Sequence, residues 1–104
     1  MTRVEQGDLI RLSSGKVPFL VVSSDFFNQS QLIVVCPVVA SAVPDALHIP
    51  ISASRLNGIA LCEQLASVSI ARKGFTLVDH LPAAQLMDII YRVQSIFDYF
   101  PHAE

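Results

Sequence analysis

The sequence predicts a mainly β domain closed by a single C-terminal helix, either an all-β barrel or a small α+β fold. Three observations carry that prediction. Several apolar runs of strand length are separated by polar, Gly- or Pro-marked breaks, and the run Leu32-Ile33-Val34-Val35 is of the fully buried type. Near the end of the chain, Leu86, Ile89, Ile90, Val93, Ile96, Phe97 and Phe100 recur at helical spacing and make one wide apolar stripe. The length, 104 residues, fits one domain spanning 1–104.

Taken in order, Gly7 to Leu12 reads as a short strand and Ser13-Ser14-Gly15-Lys16 as the turn after it. Pro18 to Val22 is a continuous apolar strand. Ser24 or Asp25 then caps a brief helical turn through Phe26, Phe27 and Asn28. Gln31 to Val39 is the strongest strand, and Ala40 to Ala46, with Pro44, a loop. Leu47 to Ile51 alternates as an edge strand, because proline at position 50 cannot donate to a second neighbour. Ser52 to Leu56 reads as one helical turn stopped by Asn57-Gly58, and Ile59 to Ile70 as a long, bent strand. Arg72-Lys73-Gly74 marks a turn and Phe75 to Val78 a last short strand. Pro82 suits the first turn of the closing helix, where its missing N–H is not needed. On that helix Asp88 and Arg92 stand one turn apart as an ion pair.

The composition is 52% hydrophobic and 15% charged, with a mean hydropathy of +0.51. A domain this small cannot hide so much apolar surface, and the surplus points to a homodimer interface. The longest apolar stretch, Leu32 to Ala40, is broken by Pro37 and is about half the length a bilayer requires. The opening residues, Met1 to Asp8, are polar and lack the apolar centre of a signal peptide, so a cytoplasmic location is expected. Cys36 and Cys62 sit inside apolar runs without CxxC or His partners, which favours buried thiols and no zinc site. No cofactor or metal is expected. The net charge of −2 argues against a general nucleic-acid-coating role and leaves room only for a local basic groove.

Four blocks in order resemble the PemK/MazF family of bacterial toxins. Gly7-Asp8-Leu9-Ile10 is similar to that family's opening Gly-Asp-apolar-apolar. Pro18 to Asn28 follows its Pro-apolar-Leu-Val-Val-Ser-x-Asp-x-Phe-Asn pattern, Leu32 to Val38 its third strand, and Leu61-Cys62-Glu63-Gln64-Leu65 its apolar-x-Asp/Glu-Gln-apolar block. The resemblance covers nearly the whole chain. It implies an SH3-like small β-barrel with a C-terminal helix, a homodimer, a cognate antitoxin, and metal-free cleavage of single-stranded mRNA as a type II toxin–antitoxin toxin.

Two departures bear on that activity. The family's catalytic Arg precedes the proline, where this chain has Val17, and its catalytic Thr or Ser falls at or beside Val39. The loop Ser13 to Lys16 is also short. Metal-free cleavage needs a base for the 2′-hydroxyl, an acid for the leaving oxygen and donors on the phosphorane, none of which valine supplies. The nearest substitutes are Lys16 as cation, Ser41 as hydroxyl and Glu63 as base, although Glu63 also reads as an ion-paired strand carboxylate. His48, with a side chain that titrates near neutrality, and the charged turn Arg72-Lys73 are the candidates for binding RNA or an antitoxin. His80 and His102 are not candidates. Two further readings stand beside ribonuclease action: a non-enzymatic toxin resembling CcdB, which binds DNA gyrase, and a catalytically silent relative that binds an antitoxin or DNA. The stretch Leu65 to Ile70 and the aromatic helix end (Phe97, Tyr99, Phe100) carry the CcdB likeness.

Overall fold

A computed structural model of the chain describes residues 3–13 and 15–101, so Ser14 and His102 lie outside the described residues. The elements are β1 (Asp8–Leu12), β2 (Phe19–Val21), α1 (Asp25–Asn28), β3 (Leu32–Val39), β4 (His48–Ser52), β5 (Asn57–Leu61), β6 (Ala66–Ser69), β7 (Phe75–His80) and α2 (Ala83–Ser95). The strands form one curled antiparallel sheet in the order β4-β5-β3-β2-β1-β7, with β6 added to β3. The mainly β fold with a C-terminal helix is therefore the fold that the sequence predicts.

β3 is the organising strand because it is the longest and serves three partners. One edge takes β2 over Val35 to Pro37. Along the other edge β6 pairs with Leu32 to Val35, and β5 pairs with Val38 and Val39. The expected single strand from Ile59 to Ile70 is accordingly two strands. The chain turns out of the ladder between Leu61 and Ala66, with Gln64 N donating to Leu61 O at 3.0 Å, and rejoins β3 in a shifted register.

The expected helical turn at Ser52 to Leu56 is a hairpin loop instead. Ala53 N donates to Leu56 O at 2.9 Å, and Asn57-Gly58 belong to β5, opposite Ser52 and Ile51. A carboxylate from elsewhere determines this. Asp79 Oδ2 accepts from Arg55 N at 2.6 Å and Leu56 N at 3.2 Å, taking the N–H groups that a helical turn would direct along its axis. Gly58 is needed for close approach, since a Cβ there would lie 2.7 Å from Val38 Cγ1 and 2.9 Å from Val39 O.

The strong β3 run buries both of its faces, and two cores result. Leu9, Leu20, Cys36, Val38, Ala60, Cys62, Leu81 and Ile89 pack together, with Leu86, Ile90 and Val93 of α2 closing over them. Val4, Ile10, Val21, Ile33 and Val35 pack together on the opposite face. Fully burying aliphatic side chains of this size contributes about 1.5–3 kcal/mol each before chain entropy is subtracted.

α2 follows Pro82, whose carbonyl accepts from Leu86 N at 2.9 Å, and carries the Asp88–Arg92 pair at 3.1 Å. Its apolar stripe is shorter than the sequence spacing indicates. The helix closes at Ser95, Ile96 N and Phe97 N turn back onto Val93 O and Gln94 O, and Phe97 and Phe100 stand exposed beyond the sheet. No described helix is long and apolar enough to cross a membrane.

The α1 corner shows why its residue pattern is specific. Ser24 caps the turn by accepting from Phe27 N at 3.2 Å, and Asp25 Oδ1 accepts from Gln6 N at 2.7 Å. Buried Asn28 donates to Ser23 O at 3.1 Å and accepts from Ser23 Oγ, which itself accepts from Val34 N at 2.9 Å. Each polar residue of Ser-Ser-Asp-x-x-Asn thus satisfies a backbone group that the turn would otherwise leave unpaired.

Candidate functional site

The two valines meet. Phe19 pairs with Pro37, and Val38 N donates to Pro18 O at 2.9 Å, so the same register sets Val17 opposite Val39. Val39 pairs with Ile59, and Ile59 with Pro50. Residues in register point to one side of a sheet. Val17, Val39, Ile59 and Pro50 therefore form an apolar row across four strands, on the side away from Val38 and Ala60. Val17 is 43% exposed, Pro50 is exposed, and Val39 and Ile59 are half-buried. Phe19 and Pro37, also half-buried, make up the next row.

Lys16 lies three residues before β2 and Ser41 two residues after β3, so both stand on the chain segments next to this row, and both are exposed. The Lys16 loop is tethered by Gly15 N donating to Leu12 O at 2.9 Å and by Arg11 Nε donating to Lys16 O at 3.3 Å. Ser13 N donates to Gly74 O at 2.9 Å, which brings the exposed Arg72-Lys73 turn beside the same loop. Arg11, Lys16, Arg72 and Lys73 thus lie on adjoining segments. They provide the local positive surface that a net charge of −2 leaves room for.

Glu63 is elsewhere. It follows β5 at a point about 13 Å by strand rise from the Val39–Ile59 row, and the chain leaves that row in the opposite direction towards Ser41. Its partner is His48, with Nε2 3.0 Å from Glu63 Oε2, while His48 Nδ1 lies 3.4 Å from Asp45 Oδ2. The hydrogen bond to Glu63 raises the His48 pKa above its ordinary value, assisted by the charge on Asp45 and opposed by desolvation. The same bond holds Glu63 below the usual carboxylate range. Asp45 is lowered mainly by Leu47 N, and with His48 N it accepts at 2.9 and 2.8 Å, which fixes the start of β4. Here the imidazole is an ion-pair partner, placed where β4 meets the β5–β6 turn.

Two carboxylates that the sequence reading passed over are structural. Asp79 is buried, and its carboxyl is lowered first by Arg55 N and then by His80 N. Asp8, also buried, accepts from Glu5 N at 2.9 Å and lies 2.8 Å from His80 Nδ1. The partners that tie these carboxylates into the fold, His80 for Asp8 and Arg55 for Asp79, are 72 and 24 positions away in sequence, beyond the reach of any local pattern.

Burial pushes the Cys36 thiol up to about 12 and Cys62 to about 11. Among the described residues no three His, Cys, Asp or Glu side chains converge where a metal ion would sit. A surface cavity of about 510 Å³ lies at the far end of β3 from Val39, lined by Arg3, Glu5, Asp25, Gln29, Gln31 and Ile70 among others. Its lining carries both charge signs, Arg3 beside Glu5 and Asp25, and Gln31 there adopts φ 67° to turn the chain from α1 into β3.

Comparison with solved structures finds the same architecture repeatedly. A MazE–MazF crystal structure from Deinococcus radiodurans superposes with a TM-score of 0.82 at 22% identity, covering 93% of this chain and 98% of that one. An endoribonuclease in complex with its cognate antitoxin, from a mycobacterial species, gives 0.79 at 16% identity, over 94% and 99%. The Mycobacterium tuberculosis toxin MazF-mt6 gives 0.69 at 14% identity, over 89% and 99%. At these identities the likeness establishes the fold. A comparison with curated proteins returns no match. The family model for PemK-like, MazF-like toxins of type II toxin–antitoxin systems matches residues 8–97, from the first residue of β1 to just beyond α2, and the chain belongs to that family.

Proposed function

We propose that this toxin acts on single-stranded mRNA in the cytoplasm as a homodimer, and that its metal-free cleavage is slow. The observation that carries the reading is the Val17–Val39 pair, facing outward at the sheet position where the family resemblance locates an arginine and a threonine. A phosphorane held there meets two isopropyl groups instead of a cation and a hydroxyl. Loss of one preorganised electrostatic donor commonly costs about a hundred- to a thousandfold in rate. The remaining chemistry rests on Lys16 as cation and Ser41 as hydroxyl, both exposed on the segments next to the same strands. Glu63, engaged with His48 beyond the other end of β5, stands apart from that pair.

The outer part of the apolar row, Ile59 and Pro50, supports a dimer that forms beside the Val17–Val39 position, because it is apolar sheet surface in a chain with more apolar area than one copy can cover. A cognate antitoxin fits the cationic segments: an acidic stretch laid across Lys16, Arg72 and Lys73 competes with RNA for the same side chains.

Purified protein incubated with long single-stranded RNA in EDTA tests the activity, with gyrase supercoiling assayed in parallel. The proposal expects weak cleavage that falls further in Lys16→Ala and no effect on gyrase. Gyrase poisoning without RNA cleavage would replace it with the binding-toxin reading.

A further inference from the structure

The core holds two thiols that the toxin chemistry does not use, and both lie in one buried cluster. β3 and β5 pair as Val38↔Ala60 and Val39↔Ile59. Two positions further along, Cys36 of β3 and Cys62, the first residue after β5, enter the same buried cluster from neighbouring strands. Cys62 N donates to Leu47 O at 2.9 Å and so stays beside β4, while Cys36 pairs with Leu20 on its other edge. The period of two puts Cys36 on the face of Val38 and Cys62 on the face of Ala60, and all four belong to one buried cluster. Both cysteines are free and fully buried. Directly opposed strand residues have Cβ atoms about 4.5–5.5 Å apart. A disulfide needs about 3.5–4.5 Å, so the two strands must close locally for the bond to form.

We propose that Cys36 and Cys62 are a redox pair that forms an intramolecular cross-strand disulfide when the protein meets a low-molecular-weight disulfide such as oxidised glutathione. One cysteine thiolate attacks the glutathione disulfide, giving a mixed disulfide and releasing one glutathione. The second thiolate attacks the protein sulfur of that mixed disulfide and expels the second glutathione. The protein loses two hydrogens, and the oxidant becomes two thiols.

Burial makes the step slow, because the thiols must ionise and meet the oxidant in an opened state. The opening element is at hand. Cys62 directly follows β5 of the outer β4–β5 hairpin, at the start of the β5–β6 turn, which is outside the ladder. The bond would close a loop made of the end of β3, the β3–β4 segment with Ser41, β4 and β5. The segment flanking the candidate site would thereby be tied down, restricting the unfolded chain and raising the melting temperature by on the order of 10 °C.

The test treats folded native protein with oxidised glutathione, then blocks remaining thiols with iodoacetamide in denaturant and measures intact mass. The expected result is a monomer that takes no alkyl groups, loses about two mass units and regains both thiols on reduction. Formation should accelerate in sub-denaturing urea, and Cys62→Ala should stop at a single mixed disulfide. Two alkyl groups after prolonged exposure, stable mixed disulfides on native protein, or only intermolecular bonds would overturn the proposal. Because the readout is mass, it stands or falls independently of RNA cleavage.

Discussion

At the scale of single residues, the structure replaces isolated candidates with pairs. His48 and Glu63 read separately in the sequence as a binding residue and a base, but lie 3.0 Å apart and hold each other charged. The imidazole pKa is raised in the folded state from its ordinary 6.5. While Glu63 is ionised, the pair's stabilisation is therefore fully present below that ordinary value and is lost as pH rises through the raised one. At the acid end it is lost again as Glu63 protonates, below its usual carboxylate range. An NMR titration should find His48 protonated to higher pH than a free imidazole, and Glu63→Gln should bring it back towards 6.5; an unshifted native titration would contradict the pairing. No local pattern could show this contact, because its partners are 15 positions apart and meet only through the β4–β5 register. The valine pair was more legible. Val17 stands out beside Pro18 against a family pattern, although its position opposite Val39 is a property of the sheet.

At the scale of elements, what the sequence shows depends on how local the cause is. β3 is legible because its apolar run is continuous. The α1 cap is legible because Ser24 and Phe27 are three apart. Pro50 is legible as an edge residue because it has no N–H, and it does lie on outermost β4. The Ser52–Leu56 loop and the break after Leu61 are not, because Asp79 shapes the first and the switch of β3 between two partners shapes the second. The clamp between α2 and β4 belongs to the same class. Gln85 donates through Nε2 to Ser52 O and accepts through Oε1 from Ser52 N, both at 2.8 Å, completing the edge strand as a neighbouring strand would. Net contributions of about 0.5–1.5 kcal/mol per hydrogen bond imply that Gln85→Ala lowers stability by about 1–2 kcal/mol. Chemical denaturation measures that loss, and hydrogen exchange at the Ser52 amide should accelerate with it. Unchanged exchange at Ser52 would mean that the clamp does not protect the edge.

At the scale of the molecule, the apolar surplus visible in the composition acquires an address. The composition points to a homodimer interface, expected by family resemblance near the edge of β3 and the C-terminal helix, and the proposal sets it at the outer end of the apolar row, where Ile59 and Pro50 lie on β5 and β4. Light scattering should find a dimer at micromolar concentration, and Ile59→Lys should dissociate it while leaving the far-ultraviolet circular dichroism unchanged; a native monomer would remove the row's assigned role. The central claim is that this family member carries the toxin fold with its cleavage chemistry reduced at two facing positions. The most direct measurement is the rate of EDTA-resistant cleavage of single-stranded RNA by native protein and by the double variant Val17→Arg, Val39→Thr. The account predicts slow native cleavage and a gain of about a hundredfold or more in the double variant, the usual size of one restored electrostatic donor. Vigorous native cleavage indifferent to Lys16→Ala, or a folded double variant as slow as the native protein, would contradict it.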